Sequence, residues 1–412
     1  MNKSLLKGKL VVLKKSIFWK ELIVLSSGNG ISQLIYLLSL PFISRFFGVE
    51  EFGRLGLFQA TIGIWSVIVS FRLCGAIPIP NSTQKGDNLF WTSVISTFVV
   101  GIFFYIASYF LLNNSNHIWK LMLFVVLVAS SLLEIFEYYL LRIGKVRTIS
   151  KQILLRVILI IIGQFIMFFS NHSERLVLGY VLGITIHIIF FSIIFFKQNK
   201  PVFIGPKILF STVKEYKEFV IYQTPTVLFN SLVSNLPFLI VNHFFGKEVL
   251  GLFTMANKIL LQPFQLIGTS LRRVFLKNAA KISNKEERRI FLKKITNKLN
   301  IYILPLLLLF VLVSPYIMPI ILGKNWDGIG QLMLILFIGV YTGLINQTIQ
   351  AKVEIERLQQ KYLIFTIISQ VILLFVMFIA GYVVQNYLLF FISISIFTGI
   401  INLIKYYHFQ KI

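Results

Sequence analysis

The chain has 412 residues, of which 57% are hydrophobic and 13% charged, and its formal net charge is +25. A soluble globular domain carries roughly 25% charged residues, so this composition excludes a soluble protein and predicts an integral membrane protein. The single cysteine, Cys74, excludes an intramolecular disulfide and a cysteine-based metal cluster.

The first 21 residues alternate lysines with apolar residues, a pattern typical of a short helix that lies on an anionic membrane surface. After them come twelve apolar stretches, each long enough to cross about 30 Å of hydrocarbon. We expect an all-α polytopic protein with two pseudo-symmetric six-helix bundles, at residues 22–196 and 217–412, joined by a linker at 197–216. The predicted spans are 22–44, 54–77, 89–112, 118–141, 150–170, 175–196, 217–244, 250–273, 299–322, 328–351, 360–384 and 387–407.

Most of the 40 lysines and arginines fall in alternate loops, together with the N-terminal segment and the C-terminus. Cytoplasmic loops carry such an excess of positive charge, so both termini are predicted to be cytoplasmic. The positive charge therefore indicates orientation and contact with membrane lipids, and no nucleic-acid partner is expected.

One motif occurs twice. Phe46–Gly53 reads FFGVEEFG and Phe244–Gly251 reads FFGKEVLG. Chance similarity in a phenylalanine-rich chain is the alternative explanation, but each copy stands at the external end of the first span of its half. Six spans return the chain to its starting side, so the halves are predicted to be parallel repeats. We interpret the copies as hinge and packing turns, with a binding motif as the weaker alternative.

No catalytic signature is present. The five histidines show no HxxxH spacing, and the chain has no GxGxxG, Walker-type or GxSxG motif. We therefore predict no catalytic residue, no metal and no cofactor, and a transporter rather than an enzyme. His187 is interpreted as a packed or hydrogen-bonded residue rather than a ligand.

Lys258 is the clearest charged residue inside a predicted span. A charge near the bilayer centre costs about 3 kcal/mol or more, so it usually faces a protein interior or a water-filled cavity. Asn257 and Gln262 lie in the same span, and Pro263 interrupts its hydrogen bonds. We favour a cavity position for Lys258, and the alternative is a side chain that reaches the interface.

Two acidic residues, Glu134 and Glu137, stand three positions apart and share one face of the fourth span. Two carboxylates in a low-dielectric site resist simultaneous ionisation, which suits uptake and release of a coupling ion, H+ or Na+. Structural salt bridges with Arg142 or Arg156 are an equally good interpretation.

Amide side chains accumulate in the first span of each half. Asn29 and Gln33 lie in the first, and Gln223 and Asn230 in the seventh. Packing and interhelical hydrogen bonds are the usual role of such residues. Nearby prolines and matching positions in the two halves also fit an alternating-access gate.

Residues 28–58 resemble the first two helices of Wzx-type polysaccharide flippases, which export lipid-linked oligosaccharides. The shared features are a GN-x-x-x-Q opening, a late proline and a P/V-E-x-[FY]-G turn. The matching residues here are Gly28, Asn29, Gln33, Pro41, Glu51, Phe52 and Gly53. The segment GLFTMANKILLQP is similar to the family's eighth helix and places Lys258 on its usual basic position. At RLCGAIPIP, which begins at Arg72, Leu73 and Cys74 stand where an aromatic and an acidic residue are common.

The resemblance implies the fold of the multidrug/oligosaccharidyl-lipid/polysaccharide superfamily, with two six-helix bundles around a central cavity. It also implies an undecaprenyl-diphosphate-linked oligosaccharide as substrate, location in the bacterial inner membrane, and polysaccharide polymerase or chain-length proteins as partners. Lys258 with Arg72 would hold the diphosphate, and the amides would bind sugar hydroxyls. Because the acidic residue near Cys74 is missing, Glu134 or Glu137 would take the coupling role.

Two other functions are compatible with the sequence. A drug or metabolite antiporter of the same superfamily would need acidic cavity residues, for which Glu134 and Glu137 are the candidates. An integral-membrane polymerase or acyltransferase would need a long external loop or an intramembrane histidine with an acidic partner, and neither is evident in the sequence.

Overall fold

A computed structural model describes residues 28–411, except for 70, 112–115, 204, 280, 281 and 283. In these residues every regular element is helical, so the predicted all-α architecture is confirmed. The basic N-terminal segment, residues 1–21, lies outside the described residues.

The first half contains seven helices, of which the first begins where the described chain begins. They are α1 (28–46), α2 (Val49–Val69), α3 (Thr83–Leu111), α4 (His117–Arg142), α5 (Val146–Phe168), α6 (Arg175–Asn199) and the short α7 (Pro206–Glu215). The predicted second span ran to residue 77, but α2 ends at Val69 and a separate 3₁₀ helix follows at Leu73–Ala76. The predicted linker at 197–216 includes α7.

The second half contains another seven helices and three π-helical turns. The helices are α8 (Thr224–Ala256), α9 (Gln262–Ala279), α10 (Lys285–Lys298), α11 (Leu304–Leu322), α12 (Ile329–Ile355), α13 (Gln359–Val383) and α14 (Tyr387–Lys411). The π-helical turns are Phe219–Gln223, Asn257–Leu261 and Leu299–Ile303, and Lys324–Trp326 forms a 3₁₀ turn.

Ten of the described helical segments are long and apolar enough to cross a membrane. One of them, Phe219–Gln265, is interrupted at Gly246, whose φ of 80° and ψ of −175° divide α8 into two helical parts. Those parts correspond to the predicted seventh and eighth spans, and α1 occupies the position of the first. The helices thus follow the predicted order of spans, while the predicted cytoplasmic termini stay a prediction.

The described residues form two compact units that do not coincide with the sequence halves. The first unit comprises the described residues up to Ser39 together with Thr61–Leu232, and the second comprises Leu40–Ala60 and the chain from Val233. The second unit therefore contains both FFG repeats. The start of α2 packs directly on the second repeat, where Gly53 lies against Lys247 O and Gly251 against Val49 O.

Side-chain hydrogen bonds also attach Leu40–Ala60 to the rest of the second unit. Trp326 Nε1 donates to Ser44 O at 3.0 Å, and Ser44 Oγ donates to Leu322 O at 3.0 Å. The Trp326 ring, which is fully buried, meets Phe52 edge-on with ring centroids 5.0 Å apart. Polar and aromatic contacts together fix this hairpin on the end of α11.

Candidate functional site

Lys258 lies inside the second unit and is only 6% exposed. Its Nζ donates to Gln59 Oε1 on α2 at 3.3 Å. The structure thus places this cation in the interior of the second unit, beside a neutral amide, while its role in a substrate cavity stays a prediction. Sequence reasoning missed Gln59, which follows the FFG repeat and carries no local signal of its role.

A proline explains the local shape around Lys258. Pro263 has no N–H for the carbonyl of Ile259, and its ring would crowd that carbonyl in a regular helix. The backbone widens instead: Gln262 N donates to Asn257 O, five residues earlier. Such π-turns are frequent at functional sites.

The same arrangement occurs at two further prolines. Pro225 follows the π-turn Phe219–Gln223, and Pro305 follows Leu299–Ile303, each standing two residues after the turn. Three prolines thus produce three widened turns at the starts of long helices. Only the turn before Pro263 contains a buried cation.

The polar neighbours of Lys258 along the chain differ in environment. Asn257 is half-buried, and its Nδ2 donates to Phe253 O at 2.8 Å. Gln262 is exposed on the surface of the second unit. Of these two predicted substrate-binding residues, Gln262 is therefore the more exposed.

Arg72 forms the centre of a separate polar site in the first unit. It adopts a left-handed conformation, φ 54° and ψ 13°, directly before the Leu73–Ala76 helix. Its guanidinium forms an ion pair with Glu134 on α4, and Nη2 lies 3.5 Å from the Tyr138 hydroxyl. A predicted substrate-binding residue and a predicted ion-coupling residue are thus in direct contact.

Glu137 lies one turn further along α4, with two partners on α5. Gln152 donates its amide to Glu137, and Arg156 Nη1 is 3.8 Å from the same carboxylate. The expected alternative of a salt bridge with Arg156 is therefore present in the structure. Arg142, the other arginine considered, instead donates to the carbonyls of Ile77 and Ser82, both at 2.7 Å.

The remaining predicted amides all belong to the first unit. Asn29 and Gln33 are exposed and four residues apart, so they share one face of α1. Gln223 and Asn230 are exposed near the start of α8, and the Gln223 side chain lies next to Gly75 in the 3₁₀ helix that follows Arg72. Gln223 is thus the amide that the structure brings towards the Arg72 site.

No cluster of three or more histidine, cysteine, aspartate or glutamate side chains that could hold a metal ion is present among the described residues. His187 is fully buried and stacks on Phe191, with ring centroids 5.7 Å apart. This placement agrees with its interpretation as a packed residue.

A family model described as "Polysaccharide biosynthesis protein" matches residues 42–331 of the chain. The amylovoran biosynthesis protein AmsL of Erwinia amylovora is 29% identical over 139 residues, 32% of this chain and 36% of that protein. The lipopolysaccharide biosynthesis protein WzxC of Escherichia coli strain K12 is 24% identical over 185 residues, 44% of this chain and 37% of that protein. These matches span little more than a third of each relative's length.

Solved structures show the fold over nearly the whole chain. The lipid II flippase MurJ in an inward closed conformation matches with a TM-score of 0.70 and 17% identity, covering 95% of this chain and 88% of that one. An inward-facing MATE family multidrug resistance transporter matches with a TM-score of 0.64 and 14% identity, covering 92% of this chain and 94% of that one. The predicted MATE-like fold is therefore confirmed.

Proposed function

Because the chain belongs to the polysaccharide biosynthesis protein family, whose model matches residues 42–331, we propose that it is a flippase for lipid-linked oligosaccharides. It is a multi-pass protein of the bacterial inner membrane. The proposed substrate is an undecaprenyl-diphosphate-linked repeat unit, carried by alternating access from the cytoplasmic to the outer leaflet. Surface polysaccharide assembly would consume the product.

The proposal depends chiefly on the burial of Lys258. It is a cation buried within a membrane-crossing segment and hydrogen-bonded to the neutral Gln59 amide. Burying an ammonium group in this way is costly, so such residues generally mark a substrate or ion pathway. A diphosphate would form charge-assisted hydrogen bonds with this ammonium group, and such bonds to phosphate oxygens are roughly twice as strong as neutral ones.

Exposed amide side chains are suited to bind sugars. Asn29, Gln33, Gln223 and Asn230 in the first unit and Gln262 in the second each carry a donor and an acceptor, which suits the hydroxyl groups of a glycan. Neutral amides bind many sugars without demanding one charge pattern. We therefore propose that they hold the saccharide while the cations hold the diphosphate.

The Arg72–Glu134 pair suggests how an ion could be coupled to substrate. While Glu134 is ionised it occupies the Arg72 guanidinium. A diphosphate that binds Arg72 displaces the carboxylate, and the released Glu134 is then stabilised by taking up H+ or Na+. Substrate and ion would thus exchange at one residue pair, with Glu137 and Arg156 as a neighbouring pair of the same kind.

The drug-antiporter alternative is less well supported by this geometry. Organic cations bind to carboxylates that are free to accept them, whereas Glu134 and Glu137 each lie beside an arginine. For the acyltransferase alternative, His187 would be the intramembrane histidine, and it is fully buried against Phe191. In the flippase proposal the observed Arg72–Glu134 pair supplies both the arginine that binds diphosphate and the carboxylate that is released.

The test is flipping of an undecaprenyl-diphosphate-linked oligosaccharide in proteoliposomes, compared for Lys258→Ala, Lys258→Arg and Lys151→Ala. Lys151 is exposed on α5 and serves as the matched control. We expect the alanine variant at 258 to lose most of the activity, the arginine variant to keep most of it, and Lys151→Ala to match the parent protein. Full activity of Lys258→Ala, or no flipping by the parent protein, would contradict the proposal.

In cells, deletion of the gene should leave lipid-linked repeat units on the cytoplasmic leaflet. Loss of surface polysaccharide with normal appearance of these units on the outer leaflet would instead indicate a polymerase or ligase. The two results separate transport from the enzymatic alternative.

A further inference from the structure

A partly open cavity of about 190 Å³ lies inside the second unit, where α8, α12, α13 and α14 meet the Asn257–Leu261 turn. Its walls are mainly aliphatic and aromatic, and include Pro237, Phe253, Leu260, Leu336, Met377 and Phe391. An apolar cavity of about 150 Å³ is already large enough to stay dry and bind a benzene-sized molecule. This cavity can therefore hold a hydrocarbon group of similar or greater size.

Polar residues in the wall direct their hydrogen bonds away from the space. Asn257 Nδ2 donates to Phe253 O, and Ser395 Oγ donates to Ile335 O, so both side chains are bonded to helix backbone. A buried water needs two to four polar partners, which such a wall does not readily provide. The cavity thus favours hydrocarbon over water or a polar ligand.

Small residues create the space. Pro237 interrupts α8 at the cavity, and Gly339 on α12 contributes no side chain to the wall. A methyl group at Gly339 would make only ordinary contact, with Thr398 at 3.5 Å, so a longer side chain there has room to extend into the cavity. A larger side chain substituted at Gly339 can therefore be used to fill the cavity.

The cavity begins one residue away from the buried cation. Asn257, Leu260 and Leu261 line it, while Lys258 in the same turn binds Gln59. The same π-turn thus carries a buried cation and side chains that line an apolar cavity. This juxtaposition matches an amphiphile in which hydrocarbon begins immediately after the phosphate.

We propose that this cavity is the subsite for an isoprenyl segment of a prenyl diphosphate whose diphosphate is bound at Lys258; the proposal rests on the proposed function. In a prenyl diphosphate the first isoprene carbon is joined directly to a phosphate oxygen. In a phospholipid, glycerol and ester groups separate the phosphate from the acyl chains, and the mainly apolar cavity wall suits those polar groups less well than hydrocarbon.

The energetic gain comes from packing. Membrane lipid is already apolar, so moving an isoprene unit from lipid into the cavity gains little from the hydrophobic effect. The wall atoms of an unfilled cavity, however, lack van der Waals partners, and a fitted chain supplies them. The site is therefore expected to depend on shape and to be sensitive to a side chain that fills it.

The experiment uses the purified full chain and a farnesyl diphosphate analogue with a diazirine on its first isoprene unit. Cross-linked peptides are identified for the parent protein, for Gly339→Leu and for the matched control Gly343→Leu, which lies one turn along α12 outside the cavity wall. Binding of farnesyl diphosphate and of inorganic diphosphate is measured for all three, and thermal stability verifies that each variant is folded.

We expect cross-links on the peptides that contain Leu336 and Met377. Gly339→Leu should weaken farnesyl diphosphate binding at least about fivefold, because lost packing contacts accumulate, with no change for inorganic diphosphate or in Gly343→Leu. A second variant, Met377→Trp, should reduce the same cross-links if Gly339→Leu does not fold.

Cross-links confined to the lipid-exposed residues of α13, such as Phe375, would overturn the subsite. Equal displacement of the probe by phosphatidic acid would also overturn it, since a general lipid pocket would then be present. Both results leave Lys258-dependent binding of inorganic diphosphate intact. Failure of the parent protein to bind any diphosphate would instead refute the proposed function together with this inference.

Discussion

Gly53 and Gly251 each pack against a backbone carbonyl that belongs to the other's repeat. A side chain at Gly53 would collide with Lys247 O, and one at Gly251 would collide with Val49 O. In the two repeats Gly53 corresponds to Gly251 and Val49 corresponds to Lys247. The contact is therefore reciprocal, and each repeat supplies the glycine that the other's carbonyl requires.

Substitution of either glycine by alanine should break this contact. The added methyl group meets backbone rather than a flexible side chain, so the helices must separate, at a cost of about 1 to 3 kcal/mol. We expect Gly53→Ala and Gly251→Ala to lower thermal stability. In a Leu55→Cys background, both substitutions should also increase maleimide labelling of the introduced cysteine, because Leu55 is fully buried in the parent protein.

Gly48→Ala is the matched control, because Gly48 lies in the same repeat with open space around its Cα. It should retain parental stability and labelling. Its repeat equivalent, Gly246, has a φ of 80° and should not tolerate alanine, since a side chain is strained in that conformation. If Gly53→Ala behaved like Gly48→Ala, the close contact would not contribute to stability.

The order of helices and the position of Lys258 could be predicted from the sequence, because hydropathy and the cost of a buried charge act locally. Pro263 also signalled a break in its helix. The Arg72–Glu134 pair could not be predicted, since its members lie 62 residues apart and only the packing of α4 brings them together. Gln59 was missed for the same reason.

The FFG repeats show a second limit of prediction from the sequence. Their similarity predicted equivalent positions in the two halves but not whether the copies contact each other. The structure groups both copies in one unit. Two surfaces that carry the same small residues can pack on each other, but sequence similarity alone does not tell whether they do.

Arg45 provides a prediction about the C-terminal end of α11. Its Nη2 donates to Ile320 O at 2.9 Å and its Nε to Ile321 O at 3.3 Å, which satisfies carbonyls that the helix leaves without partners. Arg45→Ala should lower stability by about 0.5 to 1 kcal/mol, because a cation also interacts favourably with a helix C-terminus.

Thermal unfolding in detergent measures this effect, with Arg147→Ala on the exposed surface of α5 as the control. Arg45→Lys should retain part of the stability, since lysine keeps the charge but not the forked geometry. Equal unfolding temperatures for Arg45→Ala and the parent protein would show that the capping contacts contribute nothing.

Glu134→Gln tests coupling at the Arg72 site. The glutamine is neutral in every state and leaves Arg72 free, so diphosphate binding should be retained while transport loses its dependence on an ion gradient. Glu137→Gln should have a smaller effect of the same kind, because its partner Gln152 can still hydrogen-bond a neutral amide. Flipping in proteoliposomes with and without H+ and Na+ gradients gives the measurement.

The double variant Arg72→Ala with Glu134→Ala separates coupling from a structural salt bridge. Removing one member of a partly buried pair leaves a charge without its partner, whereas removing both relieves it. If the pair were only structural, the double variant should be more active than Arg72→Ala alone. If the pair couples ion and substrate, the double variant should be as inactive as the single one.

Pro263→Ala tests the π-turn that carries Lys258. Alanine restores the missing N–H, so the regular ladder to Ile259 O can form and the extra residue of the turn is lost. One residue corresponds to about 100° of helix rotation, which would turn Lys258 away from Gln59. We expect flipping to fall roughly tenfold or more, because a misplaced binding group commonly causes a loss of that size. Thermal stability should be unchanged or higher.

The matched control is Pro305→Ala, at the equivalent place after Leu299–Ile303, a turn that carries no charged residue. It should remove the widened turn with a smaller effect on flipping, because no cation is reoriented. Equal losses in both variants would mean that any widened turn matters for helix movement. Full activity of Pro263→Ala would show that the direction of the Lys258 side chain does not depend on the turn.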